Sequence, residues 1–466
     1  MFASEKLGYT YPMMSKSWIR LKILSMIKNL SGNIVINYLL PNSVKYRLAR
    51  NFVFNTKKVI SNNQNQNDDL SDIWGNIKYH KYGVSNIIFD SRIKILIAVG
   101  SLSVSGGTNM ILEYAYALKK AGADVYIGFL RGNSSDAGWH HLSKEFVIKN
   151  LVTFNKEKFD LGIMTWWKTV EPMLLINCDK YLYFVQSLES RFAINSRDGQ
   201  EEIHAASTYL LGVPMVTVAL WLQNVLTATS NSPVWRVKNG IDKKLFPILS
   251  TEELVSPQNS SDIKFLVEGA FGVPMKAVEE TLEQCQLLDL KSVTYVNPVQ
   301  YNPRYTNIKY LNGVPISQMY EVYKQHDVLI KMSRVEALAL PPIEAFHAGC
   351  TAIISKVTGS EEYVKDGFNS LHVEVDDFAA MREKVELIQN DNELLLTLKK
   401  GAIKTASEWP DIHTTASEFA SICFTILASE KLGNLKIDDP KALIKLKINE
   451  IKQSKYLSST LLNLPN

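Results

Sequence analysis

Apolar residues in this chain come in short unbroken runs separated by polar loops. RIKILIAVG (92–100), DLGIMTW (160–166) and KYLYFVQ (180–186) are the clearest in the first half. Runs of this length with no polar face predict strands covered on both sides, the situation inside a parallel sheet. Between the first two, ILEYAYALKKAGADV (111–125) spaces its apolar residues three and four apart, which predicts an amphipathic helix running into the next strand. Strand, loop (SLSVSGGTNM) and helix together form the opening of a βαβ unit. MVTVALWLQNVL (215–226) predicts a buried strand passing into a helix. The same alternation returns further on. Strands are predicted at IKFLVEG (263–269), SVTYVN (292–297), DVLIKMS (327–333) and TAIISK (351–356), with helices at KAVEETLEQCQLL (276–288) and ISQMYEVYKQH (316–326). A further amphipathic stretch, EWPDIHTTASEFASICFTILASE (408–430), precedes a basic tail that carries no motif. The pattern is that of an α/β protein with two Rossmann-like halves and no other internal repeat.

With 466 residues the chain is long enough for two or three domains with their own cores. Its four cysteines (Cys178, Cys285, Cys350, Cys423) are scattered, which argues against a disulfide framework or a zinc site and favours a reducing, cytoplasmic compartment. The eight histidines show no H-x-x-x-H spacing, so no metal site is implied. No apolar run approaches the roughly 20 residues a spanning helix needs, and the N-terminus lacks the pattern of a cleaved signal. Net charge is small, but its distribution is uneven. No Asp or Glu lies between Lys6 and Asn67, while Lys16, Arg20, Lys22, Lys28, Lys45, Arg47, Arg50, Lys57 and Lys58 accumulate there. Ile19, Ile23, Met26, Ile27 and Leu30 fall at helical spacing within this region. A basic amphipathic helix of this kind can lie on an anionic membrane surface or dock its apolar face on the protein itself, and both readings stand. Nucleic acid is not an expected partner, since no binding module accompanies the charge. NNQNQNDDLSD (62–72) reads as a linker.

The densest chemistry lies in SRVEALALPPIEAFHAGC (333–350). A buried strand leads into a small-residue loop, and Pro341 and Pro342 open a helix where missing N–H groups cost little. Free backbone N–H groups and the positive end of a helix then face the loop and favour an anion. Glu336 precedes the loop and Glu344 lies one turn into the helix. Two carboxylates can each accept a fork of hydroxyl hydrogen bonds, which suits vicinal diols. A nucleotide-sugar, with its diphosphate and its hydroxyls, fits this description.

This stretch resembles the Glu-x7-Glu signature of the retaining glycosyltransferases of family 4 (GT4), with E-A-L-A-L-P-P-I-E where the family usually shows E-G-F-G-L-P-x-x-E. VTGSEEYVKDGFNSLHV (357–373) is similar to the family's following motif, with Ser370 in place of its last glycine, and VKNGIDKKLF (237–246) resembles the segment that crosses between the family's two domains. The resemblance covers roughly residues 92–430. It implies the GT-B fold, two Rossmann-like domains facing across a cleft, preceded here by a basic N-terminal extension. The expected divisions are 1–90 for extension and linker, 91–238 for an acceptor domain, 239–407 for a donor domain, 408–430 for a helix crossing back, and 431–466 for the tail.

The resemblance also assigns residues. VEGAFGVPMKAV (267–278) looks like the family's G-R-x-x-x-x-K-G segment, which makes Lys276 the cation for the donor diphosphate and puts Ala270 where the family has arginine. Lys276 starting an ordinary surface helix is the plainer reading. Glu336 is expected to contact the donor sugar and Glu344 the ribose, with the N–H groups of Leu338, Ala339 and Leu340 sharing the phosphate charge. Gly313 and Val314 are expected near the base, and Glu361, which matches the family spacing better than Glu362, close by. In the first half, Gly107 permits close approach of a ligand, although a plain strand–helix turn also explains it. Trp166 and Gln186 follow strand ends on the acceptor side. Trp166 and Trp167 suit sugar stacking or core packing. Gln186 ends YFVQSLE, similar to the Y-F-V-Q-D-x-E stretch of some bacterial rhamnosyl- and polysaccharide transferases. The histidine that many family members place near the acceptor has no counterpart, and no D-x-D motif stands by the nucleotide site.

The resemblance implies a hexosyl- or deoxyhexosyltransferase that acts with retention. Its donor would be a nucleotide-sugar and its acceptor a surface-polysaccharide or glycolipid precursor. It would need no metal or other cofactor, and its place would be cytoplasmic or peripheral at the inner face of the membrane. The missing arginine, loop glycines and histidine motivate a rival, a GT-B module that binds glycan or partner without catalysis. A sugar-nucleotide epimerase of the same fold is the third reading. The lack of G-x-G-x-x-G spacing in VGSLSVSGG argues against NAD chemistry.

Overall fold

The computed structural model describes residues 92–191, 200–254, 262–298, 305, 307–435 and 439–462, together with two short strands before them, β1 (Lys78–Tyr79) and β2 (Ser85–Asn86). The described residues all belong to one compact unit, Gly75–Asn466. The amphipathic segment at 19–30 and the linker at 62–72 lie outside them.

Two parallel sheets organise this unit. The first comprises β3 (Lys94–Val99), β4 (Asp124–Phe129), β5 (Val147–Asn150), β6 (Lys158–Met164), β7 (Asn177–Val185), β8 (Met215–Thr217) and β9 (Val234–Arg236), in the order β5-β4-β3-β6-β7-β8-β9. The second comprises β10 (Phe265–Glu268), β11 (Val293–Asn297), β12 (Ile308–Asn312), β13 (Val328–Lys331), β14 (Thr351–Ser355) and β15 (Ser370–Val373), in the order β12-β11-β10-β13-β14-β15. Ile95 through Val99 of β3 and Val328 through Ile330 of β13 are almost fully buried, as unbroken apolar runs in central strands require. In each sheet the strand order reverses once, between β3 and β6 and between β10 and β13. The crevice beyond the carboxyl ends of such a strand pair is where doubly wound sheets bind ligands.

Helices follow the strands. In the first half they are α1 (Gly106–Lys120), α2 (Trp167–Leu174), α3 (Gln200–Thr208) and α4 (Leu220–Thr229). The second half contains α5 (Val278–Leu287), α6 (Ile316–Lys324), α7 (Pro341–His347), α8 (Phe378–Asn390) and α9 (Asn392–Glu408). Several begin at a side-chain cap: Ser105 Oγ accepts from the Thr108 N–H at 3.1 Å, and Asp377 and Asp391 cap α8 and α9 in the same way.

The chain crosses between the halves twice, at 239–242 and at 409–412. The Trp409 indole N–H donates to the Asn239 carbonyl at 2.9 Å, and Ile241 pairs with Asp411. Gly240 is required at this crossing, because a Cβ there would lie 2.6 Å from the backbone of Ile412. After it, α10 (Ile412–Ala428) packs on α1 of the first half, with the Tyr114 and Phe419 rings stacked at 4.9 Å. The basic tail is not featureless. It forms α11 (Pro440–Gln453) and α12 (Lys455–Leu462), which bury Ile444, Ile451 and Leu461 against the first half. A tail with apolar residues this sparse gives little sequence signal, because it needs a finished surface to fold on.

Candidate active site

The switch point of the second sheet holds a cluster of charges. Glu268 ends β10 and Lys331 ends β13, and the parallel register Val267↔Ile330 brings the two side by side. The Lys331 ammonium donates to Glu268 Oε2 at 2.9 Å, with its side chain only 4% exposed. Lys276, in the turn Pro274–Lys276 before α5, reaches over from the β10 side and donates to Glu336 Oε1 at 2.7 Å. Burial pushes the Glu336 carboxyl up, but Lys276 and Lys331 outweigh it and hold the group below its ordinary range. Burial likewise pulls Lys331 down, and Glu268, Glu336 and Glu344 more than restore it. The Tyr323 hydroxyl on α6 donates to Glu344 Oε2 at 3.1 Å. Burial, then the nearby Glu268 charge, push Glu344 up to about 7.

Between the two signature glutamates runs the loop of Ala337 to Leu340. Among the described residues, no acceptor meets the N–H groups of Leu338, Ala339 or Leu340. The following helix contributes less to an anion than its position suggests. It has seven residues, and its first two, Pro341 and Pro342, have no N–H to offer. The loop amides are therefore the main backbone donors. Gly359, at φ +88°, backs the loop so closely that a Cβ would stand 2.0 Å from the Ala337 carbonyl oxygen.

First-half residues hold this loop from the other side. The Trp221 indole N–H donates to the Ala337 carbonyl at 2.9 Å, and Arg191 donates to Thr358 Oγ1 at 2.9 Å. Thr358 in turn donates to the Glu336 carbonyl at 3.2 Å. Glu362 is drawn into the same seam: it accepts from Arg236 at 2.8 Å and from the Leu220 N–H that opens α4, with Lys238 at 3.5 Å. Glu361, its neighbour on the turn Ser360–Glu362, is exposed. Gly313 and Val314 follow β12, two strands away from β10, or roughly 10 Å across the sheet. A cleft lined by Ile316, Leu340 and Glu344 of the second half meets Asn109, Glu113 and His141 of the first.

The switch point of the first sheet carries Trp166. Its ring lies against Gly100 at the end of β3, where a Cβ would come within 2.6 Å. Arg131 and Lys168 approach its face at 6.0 and 5.5 Å, and Lys168 also pairs with Glu201 at 2.8 Å. Trp167 is buried in the core, and its N–H donates to the buried Glu189. Gln186 sits beside Gly107, its Oε1 3.4 Å from where a Cβ would stand. Thus Lys276, Glu336, Glu344 and the loop residues come together, Gly107 meets Gln186, and Trp166 stands at the other switch point.

Lys331, Glu268, Tyr323, Trp221 and Arg191 were not singled out by sequence reasoning. For the first two a signal existed: each is a charged residue ending an apolar strand on the carboxyl side. Glu113, His140 and His141 also gather, with ligand atoms within 4.8 Å of one another. His140 Nδ1 accepts from the Leu142 N–H at 3.2 Å, so its proton is on Nε2, facing Asn109 Oδ1 at 3.0 Å. That arrangement leaves no lone pair on His140 for a metal.

Comparison with known proteins fits this architecture. Residues 305–405 match the family model of the glycosyl transferases group 1. Over 143 residues the chain is 23% identical to the N,N'-diacetylbacillosaminyl-diphospho-undecaprenol alpha-1,3-N-acetylgalactosaminyltransferase of Campylobacter jejuni, a match taking in 29% of this chain and 38% of that relative's length. Among solved structures, sucrose-phosphate synthase from Thermosynechococcus elongatus is similar over 72% of this chain and all of its own, with a TM-score of 0.57 at 14% identity. Anabaena HepE in complex with UDP-glucose aligns over 72% of this chain and all of its own, with a TM-score of 0.56 at 13% identity. WaaG, a glycosyltransferase involved in lipopolysaccharide biosynthesis, aligns over 70% of this chain and 99% of its own, with a TM-score of 0.55 at 13% identity. The fold is GT-B.

Proposed function

We propose that this chain is a retaining glycosyltransferase of the GT4 kind, moving a hexose or deoxyhexose from a nucleoside diphosphate donor to a glycan or lipid-linked acceptor without a metal. The observation that carries the reading is the meeting of Lys276 and Glu336 at the second switch point, beside unpaired loop amides and Glu344. Lys276 and the amides of Leu338 to Leu340 would take the diphosphate, Glu336 the sugar and Glu344 the ribose hydroxyls. The bond from anomeric carbon to diphosphate oxygen breaks, the acceptor oxygen bonds to the same face, and the leaving diphosphate takes the acceptor proton. Trp166 and Gln186 would face the acceptor. The names of the Campylobacter relative and of the HepE complex support a nucleotide-sugar donor and a lipid-linked acceptor.

No helix among the described residues is long and apolar enough to cross a membrane. The proposed setting is the inner face of the membrane, with the basic N-terminal extension as the contact. Calorimetry with UDP, GDP and dTDP in the presence of a chelator tests the donor site. One nucleotide should bind to wild type and fail with Glu344→Ala, and binding of none would reject the reading. Anomeric analysis of the product then tests retention, and an inverted product would remove it.

A further inference from the structure

Resting on that reading, we propose that Lys331 is a positioning residue of the diphosphate site, a buried charge that balances Glu336 and so frees Lys276 for the phosphates. The charge count motivates it. Three carboxylates, Glu268, Glu336 and Glu344, meet at one switch point with two ammonium groups, Lys276 and Lys331. The residue after the β10 glycine, Ala270, adds no charge. Lys276 is bonded to Glu336 in this structure and is 32% exposed, so it is the group a ligand can reach. For it to turn to a diphosphate it must leave Glu336, an acid only 12% exposed. Leaving a buried carboxylate without a counter-charge costs several kcal/mol, which would hold Lys276 in place. Lys331 removes that obstacle. Held by Glu268 at 2.9 Å and nearly fully buried, it cannot swing out, and its charge acts on Glu336 whether or not Lys276 is present. A lysine in the last position of a central, otherwise apolar strand has little structural reason to be there, since an apolar residue in that place would avoid the desolvation cost.

The test compares a nucleoside diphosphate with its nucleoside, using whichever of UDP, GDP or dTDP binds wild type. Lys331→Met should cut diphosphate affinity by roughly tenfold or more beyond any change in nucleoside affinity, which Lys331 reaches only through Glu344. Lys331→Arg, which keeps the charge, should recover most of the loss. Because Lys331→Met leaves Glu268 unpaired and can impair folding, the double variant Glu268→Gln/Lys331→Met is measured alongside it. That variant removes the pair together. If it still lacks the diphosphate preference, Lys331 acts on the site as proposed. If it binds diphosphate like wild type, Lys331 serves only as the partner of Glu268 and the proposal fails while the donor reading stands. If wild type binds none of the three nucleotides, the reading and the proposal fall together.

Discussion

Replacing Lys276 with methionine separates a ligand-binding lysine from a structural one. The stability cost follows from the Lys276–Glu336 contact. A hydrogen bond between charged groups contributes about 1.5–3 kcal/mol when shielded. With the ammonium 32% exposed, solvent screening brings that below the range, to about 1 kcal/mol. Lys331 remains beside Glu336, so the acid is not left without a counter-charge. A cost of this size shifts the unfolding midpoint by about 2–4 °C at most. The binding cost is larger. A diphosphate that loses one charge-assisted donor forfeits about 2–3 kcal/mol, which is roughly 30- to 150-fold in affinity. The assay is calorimetric titration of nucleoside diphosphate into Lys276→Met and wild type, with thermal unfolding on the same samples. A variant that unfolds a few degrees early yet binds diphosphate normally would refute the argument, since Lys276 would then serve only to neutralise Glu336.

Glu344→Gln should flatten the pH dependence of nucleoside binding, which in wild type should strengthen as pH rises through about 7 and the carboxylate gains its second acceptor oxygen. The same raised value makes the acid a source of stability below about 4.5 that is lost as pH climbs to about 7, so Glu344→Gln should be the more stable protein at pH 8, by up to about 3 kcal/mol, and no more stable than wild type at pH 4, as denaturant titrations at both pH values would reveal. Gly359→Ala combines a left-handed backbone with a Cβ 2.0 Å from the Ala337 oxygen and should cost about 3 kcal/mol or more in denaturant unfolding. Gly272→Ala, at φ +74° in open space, should cost only about 1–2 kcal/mol, isolating the steric part. Trp221→Phe keeps a ring but loses the bond to Ala337, so it should cost about 1 kcal/mol in denaturant unfolding.

What could be read from the sequence and what could not divide along physical lines. The parallel strands were legible because the part of a strand covered on both faces must be apolar, as Ile95 through Val99 of β3, Leu161 through Met164 of β6, Tyr181 through Val185 of β7 and Val328 through Ile330 of β13 are. Glu336 and Glu344 were legible because both lie in one short strand–loop–helix stretch, whereas Lys276, sixty residues before Glu336, was reached through the resemblance of VEGAFGVPMKAV to a family segment. Boundaries were read less well. The helix predicted from Lys276 begins at Val278, since Ala277 takes a left-handed conformation (φ +48°) and leaves Lys276 in the turn that aims it at Glu336. The seam between the halves was illegible: Trp221 meets Ala337, Arg236 meets Glu362 and Arg191 meets Thr358 across more than a hundred residues of chain, and no local pattern marks either partner.

The illegible contacts bear directly on the legible ones. The signature loop takes its backbone shape from Gly359 behind it and its anchor from Trp221 in front, so the alanines at Ala337 and Ala339 need not supply the flexibility that glycines would. A loop held from both sides presents its amides already oriented, and pre-oriented donors lose less entropy when an anion arrives. The Trp221 anchor belongs to the first half of the chain and the loop to the second. Loop order and the approach of the two halves are then coupled: any movement that parts them releases the Ala337 carbonyl and breaks the Arg236–Glu362 pair. Ordering of this loop should therefore depend on the closed arrangement of the two halves.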